Sequence, residues 1–191
     1  MSYKGIIFDF NGTLLFDSQK HYDAWKVYSK ILRGTSFSDD EMRKHMFGRT
    51  NEDIITYAIG KKPDAQLCAK YAREKEQVYR DMCIADKENF HLAPYAEDFL
   101  NYICQNNIPH TIATMSEWDN VEFYIKEFHL EIWFDIDKIV YSNGKIPGKP
   151  APVPTSSTLL FSFIYLLGII ESTKCFFNIS FSSVIVVRFI F

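Results

Sequence analysis

The chain has 191 residues, enough for one domain or for a core domain with a small partner domain. Its net charge is −3 and no basic block occurs, so a surface that follows nucleic-acid phosphates is not expected. Hydrophobic residues make up 47% and charged residues 24%, proportions typical of a soluble globular protein.

The four cysteines predict neither a disulfide framework nor a zinc site, because no two of them form a Cys-x-x-Cys pair. Scattered cysteines suit a reducing compartment. The N-terminus leads into a short apolar run interrupted by Asp9, which is not the pattern of a secretory signal. We therefore predict a cytoplasmic protein with no membrane partner, and we favour a monomer.

The first predicted element is a buried strand at 5–10, ended by the Asn11-Gly12 turn pair. A block of helices follows, with the second helix preceded by a capping stretch at 36–40. The predicted helices of this block are 18–33, 39–47, 51–59 and 63–82. The last of them carries a charged face at 70–76, which predicts exposure to solvent.

A second unit begins near residue 91 and alternates helices with extended segments. Its predicted elements are an amphipathic helix at 95–105 with Phe99 and Tyr102 facing inward, a strand at 108–114, a helix at 120–128 and an extended piece at 134–141. Alternation of this kind predicts an α/β fold with a small parallel, Rossmann-like sheet and crossover helices. We predict a core domain at 1–15 and 91–191, and an inserted α-helical cap domain at 16–90.

Residues 153–191 differ from the rest of the chain and make the C-terminal part atypical or truncated. They contain one acidic residue, Glu171, and are rich in Phe, Ser, Ile and Val. The segment 182–191 is the best candidate for a further strand, because it is β-branched and apolar. Two hypotheses stay open, a shifted reading frame near residue 153 and a diverged but genuine tail.

Three polar side chains of complementary chemistry follow predicted strand ends, where open α/β sheets bind ligands. Asp9 supplies a carboxylate, Thr114 a hydroxyl and Lys149 an ammonium. A carboxylate can act as a nucleophile, while a hydroxyl and a lysine can hold phosphoryl oxygens. Backbone N–H groups of the Asn11-Gly12-Thr13 turn can face an anion, and Mg²⁺ beside Asp9 would reduce charge repulsion.

At these residues the chain resembles the haloacid dehalogenase-like hydrolase superfamily. The resemblance rests on "FDFNGTL" (8–14), "TIATMS" (111–116) and "GKPAP" (148–152). The segments "FDSQKHYDAW" (16–25) and "FGRTNEDI" (47–54) resemble the α-helical cap of the subgroup that contains β-phosphoglucomutase and sugar-phosphate phosphatases. The resemblance covers residues 3–152.

The resemblance implies roles for individual residues. Asp9 would be the nucleophile and a Mg²⁺ ligand, and Lys149 would neutralise charge. Position 11 would bind the metal through its carbonyl and transfer protons through its side chain. The implied substrate contacts are Thr114, Ser116, Gly12, Thr13, His21 and Arg49. His21 reads equally well as a half-buried helical histidine, and Arg49 as part of a helix start.

Two departures from the family pattern predict impaired activity. Asn11 stands where phosphatases of this family usually carry Asp, and an amide does not transfer protons near neutral pH. Asn178 and Ile179 fall where acids usually complete the metal site, and Mg²⁺ favours charged oxygen ligands.

The predicted function is Mg²⁺-dependent hydrolysis of a small sugar or nucleotide phosphate, with the cap excluding water. A phosphosugar mutase is less favoured, because Asn11 lacks the acid that returns a proton to the sugar. Dehalogenation needs no metal and is a second enzymatic alternative. A catalytically inactive binding or regulatory protein, or a truncated fragment, is the alternative from a different class.

Overall fold

The computed structural model describes residues 3–46, 49–142 and 184–188. Helices and strands alternate as expected for an α/β protein. The elements are β1 (Tyr3–Phe8), α1 (Ser18–Arg33), α2 (Asp39–His45), α3 (Asn51–Ile59), α4 (Ala65–Ala85), α5 (Ala96–Gln105), β2 (His110–Glu117), α6 (Trp118–Phe128), β3 (Val140–Ser142) and β4 (Val184–Arg188).

The four strands form one sheet in the order β3-β2-β1-β4. Strand β1 pairs in parallel with β2, and β2 pairs in parallel with β3. This confirms the predicted α/β fold with a small parallel sheet. Strand β4 lies inside the segment 182–191 that was predicted as a strand, and it pairs antiparallel with β1.

Contacts between Cα atoms divide the chain into two compact units. One unit spans Asp17–Phe90, and the other contains the described residues before 17 and after 90. The core of the helical unit is built by Trp25, Tyr28, Phe37, Met42, Met46, Ile54, Ile55, Ala58 and Ala72. Ser38 and Thr50 cap the N-termini of α2 and α3 with reciprocal capping boxes, which satisfy N–H groups at the helix starts.

The sheet unit packs α5 against β1 through aromatic and aliphatic side chains. Leu100 and Ile103 are fully buried, and the Phe8 ring meets Phe99 edge-on with centroids 6.2 Å apart. The prediction that Phe99 and Tyr102 face inward is wrong for Tyr102, which is 56% exposed, and holds only in part for Phe99, which contacts Phe8 but is 46% exposed. The apolar stripe of α5 is therefore narrower than its sequence suggests.

Two further expectations differ from the structure. The extended piece predicted at 134–141 is a strand only at its end, and Ile136–Lys138 form a 3₁₀ turn. An ion pair between Lys138 and Asp135 at 2.8 Å spans that turn. The strand was predicted because Phe134 and Ile136 alternate with polar residues, which is the spacing typical of a strand. The charged face of α4 is not wholly solvated, because Lys75 is 2% exposed.

Within the part of the chain that the structure describes, no helix combines the length and the apolar character needed to cross a membrane. The atypical segment from 153 to 183 lies outside the described residues.

Candidate functional site

Asp9 follows directly after β1, at the carboxyl edge of the sheet. Phe8, the last residue of β1, pairs with Ile112 of β2. Thr114 lies two residues further along β2, so it reaches the same edge as Asp9. The Asp9 side chain is half-buried, and its Oδ1 accepts a hydrogen bond from the N–H of Phe10 at 2.9 Å.

The turn after Asp9 is closed by its own backbone. The carbonyl of Phe10 accepts N–H groups from Thr13, Leu14 and Leu15 at 3.2, 2.9 and 3.0 Å. Gly12 has φ of +75°, which glycine adopts without strain, and its N–H donates to the carbonyl of Leu15 at 2.7 Å. The N–H groups of Gly12 and Thr13 thus both donate within the turn, and an anion contact by this turn stays a prediction.

Asn11 joins the turn to β2 and α6 through three hydroxyl groups. Its Oδ1 accepts hydrogen bonds from Ser116 Oγ at 2.7 Å and from Thr114 Oγ1 at 3.3 Å. Its Nδ2 donates to the hydroxyl of Tyr124 at 3.1 Å. The structure therefore brings together three residues that the sequence analysis placed in one site, Asn11, Thr114 and Ser116.

Tyr124 is a member of this cluster that sequence reasoning missed. The side chain is 1% exposed, and its ring stacks on Phe10 with centroids 4.7 Å apart and planes 24° apart. Position 124 lies three residues after Val121 on α6, so helical periodicity predicts that its side chain is in the apolar core. The same periodicity does not predict a role for the hydroxyl group of Tyr124. Tyr124 thus contributes to the core through its ring and to the site through its oxygen.

Helix α6 begins at Trp118, immediately after β2, and its first residues lie at the same edge. The side chain of Glu117, the N-cap residue, makes no capping hydrogen bond to the first turn. The N–H of Ser116 donates to Thr114 Oγ1 at 3.1 Å and so fixes the backbone between the strand and the helix. A helix start at this place adds a partial positive charge, which favours a bound anion.

His21 lies in the helical unit, in a network of titratable side chains. Its Nδ1 is 2.9 Å from Lys75 Nζ and its Nε2 is 3.3 Å from Asp17 Oδ2. The imidazole stacks on Tyr79 at 3.8 Å, and the Tyr79 hydroxyl donates to Asp17 at 2.6 Å. The half-buried helical position is thus shown, and a substrate contact by His21 stays a prediction.

Lys75 is a second residue of interest that the sequence analysis missed, because it assigned this lysine to a solvated face. Its ammonium lies 2.9 Å from Glu76 Oε1 and 5.3 Å from the centre of the Trp25 ring. A buried ammonium is costly unless it is paired, and these contacts supply the pairing. Arg49 is exposed ahead of α3, and its predicted substrate contact also stays a prediction.

Lys149, the predicted charge-neutralising residue, lies outside the described residues, as do Asn178 and Ile179. The described part of the site consists of Asp9 and the cluster that surrounds Asn11. Its chemistry is a carboxylate beside hydroxyl groups at the ends of neighbouring parallel strands.

The described residues fit part of a magnesium site. They contain no group of three or more His, Cys, Asp or Glu side chains that could hold a metal by itself. The Asp9 carboxylate and the main-chain carbonyl of Asn11 are hard oxygen donors at one turn. Mg²⁺ is commonly held by one or two carboxylates together with waters and substrate phosphate, and this pair would supply part of such a ligand set.

Comparison with known proteins identifies relatives of this chain. The sequence profile of the haloacid dehalogenase-like hydrolases matches residues 3–154. A solved structure of a HAD hydrolase, family IA, variant 3 from Entamoeba histolytica is similar at 40% sequence identity and a TM-score of 0.76. The similarity covers 87% of this chain and 71% of that one.

More distant solved structures share the fold. A putative β-phosphoglucomutase from Thermotoga maritima is 20% identical with a TM-score of 0.58, over 93% of this chain and 76% of that one. A predicted phosphoglycolate phosphatase from Haemophilus somnus is 14% identical with a TM-score of 0.62, over 87% and 72% of the two chains.

Proposed function

This chain belongs to the haloacid dehalogenase-like hydrolase family, and from that premise we propose that it hydrolyses a small sugar or nucleotide phosphate through Asp9. One observation carries the proposal. Asp9 directly follows β1 at the sheet edge where Thr114 and Ser116 of β2 lie, and Asn11 is hydrogen-bonded to both hydroxyls. A nucleophile and phosphate-binding groups at neighbouring strand ends suit phosphoryl transfer.

The reaction proceeds in two displacements at phosphorus. In the first, a carboxylate oxygen of Asp9 attacks the phosphorus atom, and the bond from phosphorus to the ester oxygen breaks. The alcohol leaves and takes a proton from solvent. In the second, water attacks the aspartyl-phosphate, the bond between Asp9 and phosphorus breaks, and inorganic phosphate leaves.

The hydroxyls of Thr114 and Ser116 would bind the phosphoryl oxygens. Both now donate to the amide oxygen of Asn11, at 3.3 and 2.7 Å. A charged phosphoryl oxygen is a stronger acceptor than a neutral amide, so the hydroxyls would rotate towards the substrate. Helix α6 starts two residues after Ser116, and its dipole would favour the same anion.

Asp9 and the main-chain carbonyl of Asn11 would hold Mg²⁺, with Lys149 as a further charge partner. When bound, the ion neutralises the negative charge that carboxylate and phosphate bring together. The side chain of Asn11 has no proton to exchange at neutral pH. We therefore propose that turnover is slow and rests on nucleophilic attack and positioning, with little general acid or base assistance.

Hydrolysis of p-nitrophenyl phosphate, with and without added Mg²⁺, tests this function. We expect slow, Mg²⁺-dependent release of nitrophenol that Asp9→Asn reduces to the rate in buffer. Asp98→Asn is the matched control, because it removes an exposed carboxylate from α5 and should keep the wild-type rate. Equal rates in wild type and Asp9→Asn would refute the proposal.

A phosphate-binding protein without turnover is a second candidate, and the neutral amide of Asn11 is the observation that favours it. Such a protein would bind inorganic phosphate through Thr114 and Ser116 but release no nitrophenol. Calorimetric titration with inorganic phosphate, run beside the hydrolysis assay, separates the two functions. Binding that Thr114→Val abolishes, in the absence of hydrolysis, would favour the binding protein.

A further inference from the structure

Two aromatic side chains lie against each other at the carboxyl edge of the sheet. Trp118 is the first residue of α6, and Tyr141 is the middle residue of β3. Their ring centroids are 4.9 Å apart, and the planes are inclined by 49°. Trp118 is 39% exposed and Tyr141 is 37% exposed. The pair therefore presents aromatic surface to solvent that the core of the sheet unit does not use.

The pair is next to the hydroxyls that would hold a phosphoryl group. Glu117 and Ser142, the last residues of β2 and β3, pair with each other, so Trp118 and Tyr141, which adjoin them in the chain, lie at neighbouring strand ends. Ser116 precedes Trp118 by only two residues. Since an extended chain rises about 3.3 Å per residue, the backbones of Ser116 and Trp118 are separated by about 7 Å at most.

We propose that Trp118 and Tyr141 form a stacking platform for the aromatic ring of a phosphate monoester, such as an aryl phosphate or a nucleoside monophosphate. This inference rests on the proposed function, because it extends the substrate outward from the same phosphoryl site. A ring a few bonds from phosphorus spans the distance from Ser116 to the platform. Aromatic faces bind flat rings whatever their substituents, so the platform selects a class of substrates.

The charges beside the platform narrow that class. Glu117 and Asp119 flank Trp118 on either side, and both are exposed. Their carboxylates would repel a second phosphate or a carboxylate on the substrate. A neutral ring attached to one phosphate avoids this repulsion, whereas a sugar bisphosphate does not.

Binding in the absence of turnover tests the platform directly. Asp9→Asn protein would be titrated by calorimetry with phenyl phosphate and with glycerol phosphate, and then with adenosine monophosphate and ribose 5-phosphate. We expect the aromatic member of at least one pair to bind about 5- to 10-fold more tightly than its non-aromatic partner. The first pair reports a ring attached to the phosphate, and the second reports a ring one sugar away.

Substitutions in the same background assign the preference to the platform. Trp118→Ala and Tyr141→Ala should each reduce the preference for the aromatic probe, and Trp118→Phe should keep most of it. Tyr102→Ala is the control, because Tyr102 is an exposed aromatic residue on α5 and its loss should change nothing. Circular dichroism spectra matching the parent would show that the variants are folded.

The outcomes for the platform and for the proposed function are separable. Equal affinity for aromatic and non-aromatic probes, failure of all four probes to bind, or a preference that survives in Trp118→Ala/Tyr141→Ala protein would overturn the platform. If wild-type protein hydrolyses these phosphates with no preference for the aromatic member of either pair, the phosphatase stands and the platform falls. If wild-type protein hydrolyses none of them but the preference depends on Trp118, the platform stands and the hydrolytic function falls.

Discussion

Under the proposed function, replacing Asn11 by Asp should increase the rate of phosphate hydrolysis. The side chain of residue 11 lies among three hydroxyl groups, those of Thr114, Ser116 and Tyr124. A carboxylate at this position could accept a hydrogen bond from each of them, because the hydroxyl of Tyr124 can reverse its role from acceptor to donor. The substitution therefore leaves no buried group without a partner, and we expect Asn11→Asp to fold.

The size of the gain follows from the same three contacts. General acid–base catalysis typically contributes about 10²–10⁴-fold. Three donors favour the ionised form of the new carboxyl and so lower its pKa, which leaves it deprotonated near neutral pH, able to accept a proton but not to donate one. It would then assist the attacking water more than the leaving group, so we expect an increase in kcat of about 10²-fold, the lower end of that range.

Two substrates separate the two halves of the reaction. Nitrophenolate leaves without needing a proton, so p-nitrophenyl phosphate reports assistance to water, while glycerol phosphate also reports protonation of the leaving group. Asn11→Asp should raise kcat for p-nitrophenyl phosphate more than for glycerol phosphate. Tyr124→Phe added to Asn11→Asp removes one donor, and it should bring the two gains closer together.

Matched controls make the outcome unambiguous. Asn101→Asp introduces the same charge on α5, where the new carboxylate can still accept the hydrogen bond from Trp133 Nε1, and it should leave kcat unchanged. Asp9→Asn/Asn11→Asp should be inactive. If Asn11→Asp is folded and its kcat equals that of wild type, position 11 has no part in proton transfer and the reasoning is refuted.

Three further predictions concern the stability and reactivity of the fold. Hydrogen bonds from Arg33, chiefly, hold the pKa of Glu41 well below its ordinary value, so this carboxylate stabilises the fold above about pH 4.3, and the contribution is lost as the pH falls. The Tm of wild type should therefore exceed that of Glu41→Gln by the largest amount at pH 7, and the difference should shrink below pH 4. A difference in Tm that does not change with pH would contradict this. Burial raises the pKa of the Cys83 thiol to about 12, so iodoacetamide at pH 8 should label it only after unfolding in urea, as mass spectrometry of its peptide would show. A Cβ added at Gly5 would lie 2.9 Å from the carbonyl oxygen of Pro109, so Gly5→Ala should reduce the free energy of unfolding by about 1–3 kcal/mol in urea titrations, and an unchanged midpoint would argue against this contact.

The sequence predicted the elements well where one local rule decides them. Helix α1 spans Ser18–Arg33 as predicted, because an apolar stripe runs its length and Gly34 ends it with φ of +80°. Ser38 was predicted within the capping stretch and caps the N-terminus of α2 with a capping box. The alternation of apolar and polar residues at 134–141 wrongly predicted one extended segment, because a short turn and a strand can place apolar residues inward at similar spacings.

The candidate site was predictable only for groups that follow strand ends. Thr114 and Ser116 were placed correctly at the end of β2, because chain order alone puts them there. The hydroxyl of Tyr124 comes from a helix more than 100 residues after Asn11, and no local pattern marks such a contact. The hydrogen bonds that close the turn at Gly12 and Thr13 were also not predictable, since turn residues predict a bend but not which N–H groups close it.

The position of β4 gives the protein an unusual assembly problem. Strand β1, which precedes Asp9, pairs on one side with a segment made more than 170 residues later. During synthesis on the ribosome, one edge of β1 stays bare until almost the entire chain has emerged, and bare edges invite pairing with other chains. A cell that produces this protein would need to shield that edge for as long as translation lasts, and shortening the chain by a dozen residues would leave it exposed permanently.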